Sequence, residues 1–177
     1  MVIFIDGKKV CLRPVFKEDL QKDYLRWIND RSNDGLTGHA LFPHTLADLE
    51  SFFMSRIKDK RTLWLAIIKK ENDRHIGNIE LSDIDLINGN AEYKILLDKN
   101  EQGKGLGYEA SKLILDHGFK KLNLHRIYLG VHQDNKAALG LYKKLGFKVE
   151  GTLRQHFHRA GQYKNIIVMG LLSREHQ

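Results

Sequence analysis

The run Asp98-Lys99-Asn100-Glu101-Gln102-Gly103-Lys104-Gly105-Leu106-Gly107-Tyr108 sets three alternating glycines between a strand-like segment, residues 91–97, and a helix-like one. That helix has the apolar face Ala110, Leu113, Ile114 and Leu122. Glycine lets a backbone approach a ligand closely, and the first N–H groups of a helix have no intrahelical acceptor. With the helix dipole they make an anion site, typically for phosphate. The plain alternative is a turn that only redirects the chain; the alternation beside Lys104 favours the anion site. A nucleotide P-loop needs Ser or Thr after Gly-Lys, and Gly105 follows Lys104. Gly105, Gly107 and Ala110 match the G-x-G-x-x-A of a dinucleotide fold. That motif opens a long domain and wants an acid about twenty positions on, where Gly130 stands nearby. Gln102, Gly105 and Gly107 also satisfy a third pattern, Q/R-x-x-G-x-G/A.

Upstream, residues 9–14 alternate polar and apolar and stop at Pro14, which predicts a short strand. Leu20, Tyr24, Trp27 and Ile28 have helical spacing over 18–28. Residues 30–44 are polar and glycine-containing and predict an irregular loop. Thr45 with Asp48 resembles a capping signal for a helix with the face Leu46, Leu49, Phe52, Phe53 and Ile57. Residues 62–69, 75–81 and 91–97 predict an antiparallel meander, with Asn88-Gly89-Asn90 as a hairpin turn. Downstream, residues 126–131 predict a strand and 135–145 a helix ended by Gly146. Strands at 147–153 and 163–171 follow, joined at Ala160-Gly161. The whole predicts an α+β fold with a mixed, mainly antiparallel sheet of about seven strands flanked by helices. No repeat, low-complexity tract or linker divides the chain, so 1–177 reads as one domain.

Asn135-Lys136-Ala137-Ala138-Leu139-Gly140-Leu141-Tyr142-Lys143-Lys144-Leu145-Gly146-Phe147 fits N-x-x-A-x-x-x-Y-x-x-x-G-F. Together with the glycine loop, in this order and after a strand, it resembles the signatures of the GNAT superfamily of N-acetyltransferases. Leu12-Arg13-Pro14, Ile76-Gly77-Asn78-Ile79, Ala91-Glu92-Tyr93 and Glu150-Gly151-Thr152-Leu153-Arg154 are similar to landmarks of its RimJ/RimL-type branch. Asn165 departs from the Asp common there, which puts that residue's part in substrate binding or hairpin order in question.

The resemblance implies acetyl-CoA as donor and direct attack of a primary amine on its thioester. The N–H groups from Gln102 through Gly103, Lys104, Gly105, Leu106 and Gly107 to Tyr108 would cradle the pyrophosphate. Lys104 adds charge, unless it only faces solvent. Ile95 and Leu97 would pair their backbone with the pantetheine arm, and an N–H near Leu96 or Leu97 would polarise the thioester carbonyl. Asn135 would contact the pantetheine; as an Asn before a helix it also suits an N-cap. Tyr142 is the expected general acid toward the leaving thiolate, although its neighbours Ala138, Leu141 and Leu145 also suit a packed aromatic.

The base stays open. Glu80 and Glu92 lie on adjacent predicted strands in apolar surroundings, and burial raises a carboxyl toward a useful range. Either could face solvent instead, and a water chain would need no single base. His156 and His158 share a strand face without acidic or cysteine ligands nearby, so no metal is expected. Cys11 has no activating setting for an acyl intermediate.

The chain holds 29 Lys+Arg and 22 Asp+Glu, a formal +7. Residues 1–88 carry 14 of each sign, so residues 89–177 hold the whole excess. That half contains both cofactor signatures, with Lys104, Lys136, Lys143 and Lys144 in or beside them, which suits a polyanionic cofactor. The alternative is a non-catalytic module that binds CoA or nucleic acid, but no RNP-type motif or recognition helix is present. A single cysteine fits a reducing compartment, and neither a leader nor a spanning segment is visible, so a cytoplasmic protein without a membrane partner is expected. The resemblance implies a small-molecule or peptide amine as acceptor: a protein N-terminus, an aminosugar or a polyamine. Trp27-Ile28-Asn29-Asp30 is reminiscent of aminosugar members. The loop 30–44 and the last hairpin are expected to line its site. Many relatives dimerise, so a homodimer is allowed for, though the chain shows no interface signal.

Overall fold

The computed structural model describes residues 2–21, 23–30, 42–159 and 161–176. Eight strands form one sheet. They are β1 (Ile5–Asp6), β2 (Val10–Pro14), β3 (Leu63–Lys69), β4 (Arg74–Asp85), β5 (Asn90–Leu97), β6 (Arg126–His132), β7 (Lys148–Arg159) and β8 (Gln162–Leu172), in the spatial order β1-β2-β3-β4-β5-β6-β8-β7. The helices are α1 (Asp23–Asn29), α2 (Leu46–Lys58), α3 (Leu106–Lys120) and α4 (Lys136–Lys144). The mixed, mainly antiparallel sheet flanked by helices is as expected; the extra strand is the two-residue β1.

Residues 18–28 do not form one helix. A 3-10 turn, Lys17–Gln21, precedes α1. Its start is held by Asp19, whose carboxylate accepts the Phe16 N–H at 2.8 Å and the Arg13 guanidinium at 2.6 and 2.7 Å. Thr45 and Asp48 form a reciprocal capping box at α2, with Asp doing the work usual for Glu. Gly89, at φ +65°, turns the hairpin, and its carbonyl accepts the N–H groups of His125 and Arg126, which seats the start of β6. β4 runs past the expected 75–81 through a bulge between Ser82 and Asp85. Most of the loop 30–44 lies outside the described residues, as does Ala160 of the final turn.

The sheet has two covered faces. Ile79, Leu81, Tyr93, Ile127, Leu129 and Met169 pack under α3 and α4, with Ile114, Leu115 and Tyr142. On the other face, Trp64 and Leu96 pack against α1 and α2 through Tyr24, Trp27, Ile28, Leu49 and Phe53. Strand alternation then assigns the polar residues. In β5, Tyr93, Ile95 and Leu97 turn to α3 and α4, so Glu92, Lys94 and Leu96 turn to α1 and α2. Glu80 pairs with Lys94 across β4 and β5 and shares that second face. In β6, Leu129 and Val131 belong to the first face, so Gly130 and His132 belong to the second.

One relationship decides where function can sit. β5 and β6 are parallel but pair only at Asn90↔Arg126, Ala91↔Ile127 and Glu92↔Tyr128. β5 stays paired with β4 up to Leu97, and β6 with β8 up to His132. The two strands therefore diverge beyond Glu92 and Tyr128 while each remains anchored on its outer side.

Candidate active site

The divergence opens a slot of about 480 Å³. Ile95, Leu97, Val131, Ala138 and Tyr142 line it from the α3/α4 face, and Leu96, Gly130 and His132 from the other. A slot lined from both faces passes through the sheet. Backbone groups of β5 that would have bonded β6 are left for another partner, since a main-chain N–H or C=O away from water is seldom unpaired.

The glycine loop lies at the mouth. Gly103 and Gly105 have φ of +75° and +80°, a left-handed conformation that side chains rarely adopt. Gly105 is the N-cap of α3 and offers no side-chain acceptor, so the first N–H groups of α3 remain available. Gln102 reaches back to donate to the Leu97 carbonyl at 3.1 Å, closing the loop onto β5. Of the residues expected to hold cofactor, Ile95, Leu97, Gln102, Gly103, Gly105, Gly107, Tyr108 and Asn135 line the slot. The other two do not. Leu106 is buried in the core, and Lys104 pairs with Glu101 at 3.0 Å. Each can serve the loop only through its backbone or its charge. Asn135 also caps α4, accepting the Ala138 N–H at 3.1 Å.

The base of the loop is fixed by Asp98, whose side chain is fully buried. One carboxylate oxygen accepts from Arg26 at 2.9 Å, Trp27 Nε1 at 3.1 Å and Arg74 at 3.1 Å; the other accepts the Asn100 N–H at 2.9 Å. Burial alone would raise this carboxyl, but the bonds from Asn100, Trp27 and Arg26 outweigh it and hold the group below the usual carboxylate range.

Tyr142 lines the slot with its ring edge-on to Tyr93 and Phe147, both 6.0 Å away between centroids. Burial pushes its phenol up to about 12, so it carries its proton at neutral pH. Glu80 and Glu92 do not line the slot. Glu80 is buried, with Arg56 at 3.5 Å and Lys94 at 3.7 Å; Glu92 pairs with Lys94 at 2.7 Å. Burial raises the Glu80 carboxyl, against the opposing pull of Arg56 and Lys94. Both carboxylates stand on the α1/α2 face.

Sequence reading missed Lys99, Gly130, Val131, His132, Ala137, Ala138 and Leu141 as slot residues. Motif spacing could have suggested Ala137, Ala138 and Leu141 as neighbours of Tyr142 on α4. The β6 residues carry no motif of their own. Among the described residues, no group of three His, Cys, Asp or Glu side chains is placed to hold a metal ion. Cys11 is buried, and burial pushes its thiol up.

A splayed parallel strand pair, a left-handed glycine turn opening a helix, and a protonated tyrosine on the far wall fit an acyl-CoA and an amine meeting across a sheet. Residues 9–148 match the acetyltransferase (GNAT) domain family, and the chain belongs to it. It is an N-acetyltransferase that takes its acetyl group from acetyl-CoA. The chain is 32% identical over 170 residues to spermidine N(1)-acetyltransferase of Escherichia coli K12, covering 94% of this chain and 88% of that protein. The Vibrio cholerae protein of the same name is 31% identical over 156 residues, covering 86% and 90%. A solved structure of the Vibrio cholerae spermidine N-acetyltransferase, in complex with CoA and spermine, superposes with a TM-score of 0.87 at 29% identity, covering 94% of this chain and 97% of that one. These likenesses establish the superfamily and do not single out its RimJ/RimL-type branch. Among the described residues, no helix is long and apolar enough to cross a membrane.

Proposed function

We propose that the acceptor is a primary amine of a polyamine. The observation that carries this reading is that the chain aligns with spermidine N(1)-acetyltransferases over 94% of its length, with the buried Glu80 and the half-buried Glu92 on the face opposite α3 and α4. Glu80 and Glu92 pair with Arg56 and Lys94, and a ligand with several ammonium groups could take those partners' places. The roles divide across the slot. The glycine loop and the free edge of β5 hold the cofactor on the α3/α4 side. The amine enters from the α1/α2 side, past Glu80 and Glu92, and loses its excess proton before attack. Attack forms the C–N bond, the C–S bond breaks, and Tyr142 protonates the thiolate.

The test is a panel of acceptors followed by release of free CoA. Spermidine and spermine should exceed aminosugars and N-terminal peptides in kcat/KM by at least about tenfold, equivalent to about 1.4 kcal/mol. Equal or greater turnover of an aminosugar or a peptide would overturn the polyamine reading and leave acetyl transfer intact. We also infer self-association beyond a dimer, because a Vibrio cholerae spermidine N-acetyltransferase at 30% identity and a TM-score of 0.78 is described as dodecameric. Light scattering on the full chain measures this directly.

A further inference from the structure

We infer that His132 is the group that takes the proton from the attacking amine. It rests on acetyl transfer to an amine and not on which amine that is. His132 ends β6 where β5 and β6 lie apart, and it lines the slot from the α1/α2 face, while Tyr142 lines it from the opposite face. A direct transfer wants its proton acceptor on the amine side and its proton donor on the thiolate side, and these two residues stand so.

The two ring nitrogens differ. Nδ1 is buried and has no partner among the described residues, so it does not face the slot. With the proton on Nδ1, Nε2 carries the lone pair and is the nitrogen that would take the proton. The ring is not loose. Phe157 of β7 packs on it at 3.9 Å between centroids, and the His132 carbonyl accepts the Asn135 N–H at 2.9 Å, which ties the residue to the start of α4.

The charges around it keep it neutral. Burial lowers its pKa first, Arg159 of β7 lowers it further, and Asp134 of the turn before α4 pulls the other way. Asp134 is itself 3.6 Å from Lys164 of β8, which weakens that pull. Across the slot, Tyr142 is uncharged at neutral pH. A neutral imidazole has a lone pair to offer, whereas Glu80 and Glu92 are engaged with Arg56 and Lys94 and stand outside the slot.

The proton balance closes. His132 takes one proton from the ammonium and passes it to solvent. The free amine attacks the thioester carbonyl, the C–N bond forms and the C–S bond breaks. Tyr142 gives its proton to the sulfur and regains one, through water, from the nitrogen that becomes the amide.

The experiment compares wild type, His132→Gln and Glu80→Gln, using spermidine or whichever amine the acceptor panel returns. For each, kcat at saturating substrates is followed from pH 5 to pH 9, and the acetyl-CoA thermal shift is recorded. In His132→Gln the thermal shift should persist, kcat should fall at least about a hundredfold, and the acid limb of the profile should vanish. In Glu80→Gln the acid limb should remain. A His132→Gln enzyme within about threefold of wild type, or one that keeps the limb, overturns the inference. So does loss of the limb in Glu80→Gln. If His132→Gln fails to fold, His132→Asn is measured in its place with the same criteria. A failed polyamine reading changes the amine used and none of these outcomes.

Discussion

The Tyr93 hydroxyl lies 2.6 Å from Ser111 Oγ, and Ser111 in turn donates to the Gly107 carbonyl at 2.6 Å. Ser111 spends its proton on Gly107, so Tyr93 is the donor of the pair. A fully buried side chain in the middle of β5 thus fixes the first turn of α3, whose N–H groups are the proposed seat of the cofactor. Tyr93→Phe removes one buried bond and leaves the Ser111 bond to Gly107. It should cost about 1 kcal/mol of stability, raise the acetyl-CoA KM up to about fivefold and leave kcat nearly unchanged. Thermal melts and steady-state kinetics read both.

Gly105 sits at φ +80° with no atom within 4 Å of where a Cβ would be. The obstacle to substitution is therefore backbone conformation and not crowding. Gly105→Val should cost about 1–2 kcal/mol and abolish the stabilisation by acetyl-CoA, whereas Gly105→Asn should keep most of it, because Asn tolerates the left-handed region. Melting temperatures with and without acetyl-CoA separate the two variants.

Asp98 couples stability to pH. Its folded pKa lies below its unfolded value, so its contribution is present above the unfolded carboxylate value, about 3.9, and is lost as pH falls through the lower folded value. Asp98→Asn should cost about 2 kcal/mol at neutral pH, since the bonds from two arginines lose their charged acceptor. The gap between variant and wild type should begin to narrow below about pH 4 and close only once pH has passed below the lower folded value. Denaturant titrations at pH 7 and at descending pH below 4 measure the difference.

Tyr142→Phe keeps the ring contacts with Tyr93 and Phe147 and removes only the hydroxyl. Binding of acetyl-CoA should survive while kcat drops about a hundredfold or more. Unchanged turnover would remove Tyr142 as the proton donor.

Asn165 does in this chain what its oxygen permits. Its Oδ1 accepts the Gln155 N–H at 2.8 Å, and Gln155 is at φ +50° where β7 loses register with β8. Asp offers the same acceptor, so Asn165→Asp should change stability by less than about 0.5 kcal/mol. Asn165→Leu should cost about 1 kcal/mol, read by thermal melts. Little change in Asn165→Asp would show that the departure from the Asp common in the RimJ/RimL-type branch leaves the order of the hairpin intact.

The local chemistry of this protein is written in its sequence. Gly105 and Gly107 opening a helix, Asn135 capping the next one and Gly146 ending it follow from backbone rules that act over a few residues, and so does the meander from 62 to 97. The sheet class follows from the order of those elements. Two local readings shifted: residues 18–28 divide into a 3-10 turn, whose start Asp19 holds, and a helix, and Asp83, at φ +50°, lies in the β4 bulge.

Tertiary structure decided which side of the sheet each group serves. The sequence shows that Glu80, Glu92 and His132 occur in strands, but not that the pairing of β5 with β6 stops at Glu92↔Tyr128. That stop depends on both strands being held on their outer sides, by β4 as far as Leu97 and by β8 as far as His132, and no residue of β5 or β6 encodes it alone. At Gly77 a Cβ would collide with the Leu96 carbonyl oxygen, so β4 can approach the end of β5 this closely only with glycine there. Only with the slot open do Tyr142 and His132, ten residues apart in sequence, reach it from opposite faces. Burial then sets their protons, one phenol kept protonated and one imidazole kept neutral, and burial is a property of the folded chain alone.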